Sequence, residues 1–431
     1  MNEDTSPRAS APLPVPTEAA RSILFTPFRF GALEVKNRFV SSATVECLAP
    51  ADNRLTPEYL RVYTRLAKGG VGLIIPGNYF VSWEGRAVDK QLVLDRDGVM
   101  DDLRGLTEAV HAHGAKIVAQ LNHGGRQCSP HLIGTTPVSP SAVRDGLTGV
   151  RPRPLTPEEI EGVIRAFADA AKRVKGSGFD GVQINAAHGY LINQFLSART
   201  NRRKDEWGGP AEQRSRFLIR VYERIRGTVG PDFPVLVKLN AEDSIARGVT
   251  LAESIEVCRR LDALGVDAIE VSGGIKETGF VTTRGEVPGD LLLEDLGFFK
   301  RLLFKVVAGK LRRAARFTEG YNLPHAAAIK QRVRAPVIAV GGLRQKAMME
   351  RLLERGEADL VALSRPFIRQ PNLVSRMERD PRVTSVTCEN CNRCTVEVTM
   401  RYRPLRCYLG DRERRGEGAR SSPGVSPQAA T

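Results

Sequence analysis

The residues best suited to chemistry in this sequence stand at the ends of short apolar runs. Gln120, Asn122, His123 and Arg126 follow one run, and Asn185, His188 and Tyr190 follow the next. Lys238 and Asn240 end a third, Gly341 and Gly342 a fourth, and Ser364 and Arg365 a fifth. Amide, imidazole, phenol and cationic groups gathered in one place would supply hydrogen-bond donors, a weak acid and anion-binding charge. The Gly341-Gly342 turn exposes backbone N–H groups, and Arg365 adds a fixed fork of donors. Taken singly, each group has a structural explanation. Gathered, they suit a cofactor with a phosphate and a large polar ring.

A second set of groups lies near the end. Cys388, Cys391, Cys394 and Cys407 are separated by two, two and twelve residues, whereas Cys47, Cys128 and Cys258 are scattered. An odd number of cysteines in this arrangement is no disulfide framework, and it points to a reducing compartment. Four thiols so close together suit tetrahedral ligation of zinc or of an iron–sulfur cluster. Four unliganded thiols are the other reading.

The elements that must position these groups alternate. Short apolar runs at 39–42, 71–76, 116–121, 181–185, 235–239, 268–272, 337–340 and 360–363 read as strands buried on both faces. Segments of helical period fall between them, at 57–68, 98–113, 157–175, 211–228 and 251–264. Thr56-Pro57 and Thr156-Pro157 are helix starts, and Gly114, Gly176 and Gly265 are helix stops. Eight strands alternating with helices predict an α/β fold, a closed (β/α)8 TIM barrel rather than an open doubly wound sheet. Chemistry then belongs at the C-terminal strand ends, with phosphate at the loops after strands seven and eight. The G-x-G-x-x-G run from Gly176 to Gly181 closes a helix and precedes a strand. A dinucleotide site needs the reverse order, so this run is turn punctuation.

Composition excludes several classes. The 431 residues carry 64 Lys and Arg against 49 Asp and Glu, a net charge of +15. The two signs are mixed, aromatics are only 6%, and no basic stretch interleaves with stacking residues, so nucleic acid is not an expected partner. No apolar run reaches the roughly 18 residues of a membrane span. The polar, proline-rich start is unlike a signal peptide, so a cytoplasmic protein is expected. Residues 1–20 and 411–431 read as disordered, 21–380 as the barrel and 381–410 as a Cys-rich segment. The stretch 273–331 is a long insertion between strands six and seven. Within it, 298–318 holds seven Lys/Arg and no acid. It reads as a barrel helix with a solvated basic face, or as an amphipathic helix lying on a membrane surface or capping a pocket.

Ordered motifs from Leu24 to Leu373 resemble the old yellow enzyme family of flavin-dependent ene-reductases. They are Leu24-Phe-Thr-Pro27, Asn37-Arg38, Ser42-Ala-Thr44, the Gln120, His123 and Arg126 set, the run from His188 to Leu196, Asn201-Arg202, Glu206-Trp-Gly-Gly209, Val340-Gly-Gly342 and Arg365-Pro366. The resemblance implies FMN at the barrel mouth, reduced by NADH or NADPH, and a small α,β-unsaturated carbonyl substrate. It places Ala43, Thr44, Val45 and Asn78 along the flavin and Gln120 at its pyrimidine edge. Lys238 stands where the family usually has Arg, and a cation there stabilises reduced flavin. Gly341, Gly342 and Arg365 would hold the phosphate. Tyr190 matches the proton donor, and Asn185 with His188 replaces the usual donor pair for the substrate carbonyl. Val45 departs from the Thr or Cys often found there. The rival reading is a flavin-binding barrel without reductase activity, acting as a binding or scaffold module.

The cysteine segment resembles that of 2,4-dienoyl-CoA reductase, which has one more residue between its second and third cysteines. In that enzyme a cluster relays electrons from an FAD domain. A metal at these cysteines is therefore expected to be structural here.

Overall fold

The computed structural model describes residues 21–50, 54–294, 297, 306 and 308–410. The two expected disordered ends and residues 298–305 and 307 of the expected basic helix lie outside them.

Eight parallel strands close a barrel: β1 (Phe39–Ser41), β2 (Leu73–Ile74), β3 (Lys116–Asn122), β4 (Gly181–Ala186), β5 (Val235–Asn240), β6 (Ala268–Ser272), β7 (Val337–Val340) and β8 (Leu360–Leu363). Each pairs with its neighbours in sequence, and β8 pairs back onto β1. The expected TIM barrel is present, with strand positions matching the eight apolar runs to within a few residues. Helices α1 (Pro57–Lys68), α2 (Met100–His111), α3 (Pro157–Gly176), α4 (Ala211–Val229), α5 (Leu251–Ala263), α6 (Leu323–Lys330) and α7 (Lys346–Glu354) surround it.

Local chemistry starts these helices as the sequence indicates. Thr56 caps α1 by accepting from the Tyr59 N–H at 3.2 Å. Thr156 and Glu159 form a reciprocal capping box on α3, as do Thr250 and Glu253 on α5. The G-x-G-x-x-G run joins the end of α3 to the start of β4 and opens no helix. At its centre Gly178 has φ +81°, and a Cβ there would press on Thr107 Oγ1.

Two packed layers divide the strand residues by parity. Outward-facing Ile117, Ile184, Val237, Val271 and Leu363 pack against the helices. Inward-facing Val40, Leu73, Val118, Leu236, Ile338 and Leu360 fill the lower barrel together with Phe30, Leu33 and Val35. The last three belong to an antiparallel hairpin, Phe28–Phe30 with Leu33–Val35, that plugs the N-terminal end. Towards the C-terminal ends the inward positions turn polar, with Gln120, Gln183, Asn185, Lys238, Asn240, Glu270 and Ser272 all buried. A closed barrel holds its chemistry there because the lower half is already packed.

The Cys-rich segment lies across the mouth rather than away from the barrel. Its short helix α8 (Arg393–Thr399) follows Asn392, whose amide donates to Glu286 O at 2.9 Å and accepts from Arg365 Nη1 at 2.6 Å. Leu405 N donates to Glu46 O at 2.8 Å. Among the described residues no helix is long and apolar enough to cross a membrane.

Candidate active site

Every residue that the resemblance assigns to flavin or substrate lines one of two adjoining cavities at the barrel mouth, whereas Asn122, His123, Arg126 and Asn240 line neither. Ala43, Thr44, Val45, Asn78, Gln120, Asn185, His188, Tyr190, Lys238 and Arg365 line a cavity of about 840 Å³. Gly341, Gly342 and Arg365 line its neighbour of about 630 Å³, which shares Ala43, His188, Lys238 and Ser364 with the first. Cys394, Thr395, Val398, Thr399 and Leu405 complete the wall of the larger one.

Strand register builds a buried polar chain across the floor. Lys238 is the direct neighbour of Glu270 on β6 and of Asn185 on β4, and Gln120 is opposite Gln183. Lys238 Nζ donates to Glu270 Oε1 at 2.9 Å and to Ser42 Oγ at 2.8 Å. Gln183 Nε2 donates to Glu270 Oε2 at 2.8 Å and Gln120 Nε2 to Gln183 Oε1 at 2.7 Å. Asn185 Nδ2 closes the chain on Gln120 Oε1 at 3.2 Å. Sequence reasoning missed Glu270 and Gln183. Their signal was present as charged and amide side chains in otherwise apolar strands, which a closed barrel tolerates only where they are paired.

The turn after β4 carries the expected catalytic groups. His188 has φ +60°, unusual for a side chain with a Cβ, and the conformation is held from both sides. Its N–H donates to Asn240 Oδ1 at 3.2 Å, and its carbonyl accepts from Gln127 Nε2 at 3.0 Å. His188 Nε2 lies 2.7 Å from Ser272 Oγ. Burial first, then the charges of Lys238 and Lys276, push the imidazole pKa down to about 3. The ring is neutral at physiological pH, so it can hydrogen-bond but brings no positive charge to the cavity. Tyr190, 4% exposed, accepts at its hydroxyl from Asn78 Nδ2 at 3.4 Å.

The smaller cavity fits an anion. Thr283 and Asn390 line the smaller cavity, and Thr283 Oγ1 and Asn390 Nδ2 are buried without a hydrogen-bond partner. Unpartnered buried donors on residues that line one cavity fit an acceptor bound beside them. Gly342 has φ +71°, and a Cβ there would stand 2.7 Å from the Tyr321 ring, so only glycine fits. Arg365 is more committed than expected. Its Nη1 donates to Thr283 O at 3.1 Å, and its Nη2 to Arg284 O at 2.9 Å. It therefore fastens the insertion and the Cys-rich segment beside the smaller cavity. Thr283 and Asn390 were missed because they lie in the insertion and in the Cys-rich segment, far from any strand end.

The four cysteines do converge. Cys388, Cys391, Cys394 and Cys407 line one cavity of about 330 Å³ beside Arg365 and Asn392. Burial raises the Cys394 thiol to about 12, with the other three cysteines adding to the shift. Yet among the described residues no group of three or more His, Cys, Asp or Glu side chains is arranged to hold a metal ion. The thiols share a wall without the geometry of a bound centre.

Comparison with known proteins agrees with this architecture. Residues 23–277 and 303–382 match the family model described as NADH:flavin oxidoreductase / NADH oxidase family. The chain is 38% identical over 371 residues to an NADH oxidase of Thermoanaerobacter brockii, covering 86% of this chain and 52% of that protein. It thus spans about half the length of this relative. It is 34% identical over 356 residues to an NADPH dehydrogenase of Clostridium acetobutylicum, covering 81% of this chain and 93% of that protein. Among solved structures, the old yellow enzyme homologue from Zymomonas mobilis superposes with a TM-score of 0.67 at 27% identity, covering 85% of this chain and 96% of that one. With a closed barrel, a polar C-terminal mouth and these matches, the chain belongs to the NADH:flavin oxidoreductase / NADH oxidase family, the family of the old yellow enzymes.

Proposed function

We propose that the protein is an FMN-dependent oxidoreductase that passes hydride from NADH or NADPH to the C=C bond of α,β-unsaturated carbonyl compounds. One observation carries this reading. The Tyr190 phenol, the His188 imidazole and the Asn185 amide line the same cavity as Gln120 and Lys238. FMN, when bound, supplies the hydride chemistry.

The chain's own groups supply the rest. Asn185 and a neutral His188 donate to the substrate carbonyl, and those bonds strengthen as the oxygen becomes an enolate. Tyr190 gives its proton to the α-carbon and is recharged from water. Gln120 and Lys238 would hold the flavin ring, and the Glu270 carboxylate balances the lysine's charge. Thr283, Asn390 and the Gly341-Gly342 turn would hold the FMN phosphate. The Cys-rich segment, as a wall of the cavity, excludes water.

The test is anaerobic. Added NADPH or NADH should bleach the flavin of the yellow protein, and an enone should restore its colour. Acid release should yield FMN and not FAD, because one phosphate site faces the cavity. A protein that binds FMN but does not bleach would support the scaffold reading instead.

A further inference from the structure

The substrate side of the larger cavity holds a cation that the proposed chemistry does not use. Lys276 Nζ lies 4.7 Å from the centroid of the Tyr190 ring, and the residue lines the cavity with Asn78, Asn185 and His188. Among the described residues three cations line these walls. Lys238 is paired with Glu270, and Arg365 spends both Nη groups on the protein's own oxygens. Among the described residues Lys276 makes no ion pair.

Its position is built. The backbone on one side is fixed by a parallel bridge between Ile275 and His188, and Lys276 N donates to His188 O at 3.4 Å. On the other side the Glu277 carboxylate accepts from Arg126 Nη2 at 2.6 Å, a pair in which the side chains are 1% and 3% exposed. Arg199 Nε lies 3.4 Å from the same carboxylate. Breaking a pair so buried is costly, so the loop keeps Lys276 over Tyr190. The charge reaches the chemistry, since Lys276 is one of the groups that depress His188. A partly dehydrated ammonium without a counter-ion favours whatever anion enters beside it.

We propose that Lys276 anchors a carboxylate on the substrate, so that the cavity selects α,β-unsaturated carbonyl compounds bearing a second, anionic group. The inference rests on the ene-reduction reading above and names its substrate class. Since Tyr190 protonates the α-carbon and Lys276 lies on its ring, the carboxylate belongs on the α-carbon side of the alkene. It takes no part in electron transfer. Hydride still goes to the β-carbon and the proton to the α-carbon.

Two phenols test this on the oxidised holoenzyme, read by the long-wavelength charge-transfer band with the flavin. The wild type should bind 2-hydroxyphenylacetate, whose side chain stands on the ring carbon that mimics the α-carbon, more tightly than phenol. Lys276→Met should lower that preference by about 10- to 100-fold, the scale of one charge-assisted hydrogen bond. Lys276→Arg should restore most of it. The ratio of kcat/KM for a carboxylate-bearing enone over cyclohexenone should fall in parallel, a change that general loosening of the fold would not produce. A wild type that prefers the neutral phenol overturns the proposal without any variant. So does an unchanged preference in a Lys276→Met protein that retains its flavin. If the preference falls as expected but neither enone is turned over, the anion site stands and the ene-reductase reading fails. If neither phenol gives a band on flavin-loaded protein, both fall.

Discussion

Lys238 Nζ lies 2.9 Å from Glu270 Oε1 inside the barrel, and neither residue is more than 3% exposed. The two are register partners on adjacent parallel strands, so the backbone itself brings them together. The cation expected at the flavin is thus held by a carboxylate that the sequence did not nominate. Glu270→Ala leaves a buried ammonium uncompensated and should lower the unfolding free energy by about 3–5 kcal/mol. Glu270→Gln keeps hydrogen bonds to Ser42 and Lys238 and should lose less. Denaturant unfolding of both variants checks this, and an unchanged Glu270→Ala midpoint would show that water already shields the pair.

Tyr190→Phe separates the two half-reactions. Reduction of the flavin by nicotinamide needs no acid and should survive. Alkene reduction should slow by about 10²-fold or more, the scale of losing a general acid. Stopped-flow measurement of each half-reaction decides the matter. Equal slowing of both would mean that the phenol, packed under Lys276 and bonded to Asn78, is structural.

His188→Ala and Asn185→Ala each remove a donor for an enolate-like oxygen. Either should weaken binding of phenol to the oxidised flavoprotein by about 1–3 kcal/mol. Titration of the charge-transfer band gives the two dissociation constants. Asn185 also donates to Gln120, so its loss should shift the flavin absorption as well. Affinity unchanged in both variants would place the oxyanion elsewhere.

The histidines set an acid limit to stability. Burial holds His188 at about 3 and His123 at about 4, both below the usual 6.5. The unfolded chain therefore takes up these protons first. Their contribution to stability is complete above pH 6.5 and is lost as pH falls towards 4 and 3. Each histidine contributes a slope of up to about 1.4 kcal/mol per pH unit. His188→Asn should flatten that decline, as read from denaturant unfolding at a series of pH values. An identical slope in the variant would remove His188 from the account.

The four cysteines line a cavity next to Arg365 without metal-binding geometry, and no electron path is assigned to them. Where a metal is bound at these thiols, replacing Cys391 and Cys394 with Ser should lower the Tm while leaving flavin reduction by nicotinamide nearly intact. Iron and sulfide analysis of anaerobically purified wild type identifies any metal. Loss of turnover with flavin and stability both retained would show instead that the segment carries electrons.

The eight apolar runs, the helix starts at Thr56 and Thr156, and the polar strand ends were all legible in the sequence. Each depends on neighbours a few residues away: burial periodicity, capping, and a polar residue breaking an apolar run. The same information placed Gln120, Asn185, His188 and Tyr190 at one barrel mouth, because a closed parallel barrel sends every strand's C-terminal end the same way. Tertiary structure decided what each group faces. Glu270 and Gln183 looked like faults in apolar strands until the register set them beside Lys238 and Gln120. Lys276, Thr283 and Asn390 come from the insertion and the Cys-rich segment, whose irregular backbones carry no periodic signal. They reach the cavities through contacts such as Arg126 to Glu277 and Arg365 to Asn392, which join residues 151 and 27 positions apart. Such pairings depend on how loops fold over a finished barrel, and no local pattern encodes them.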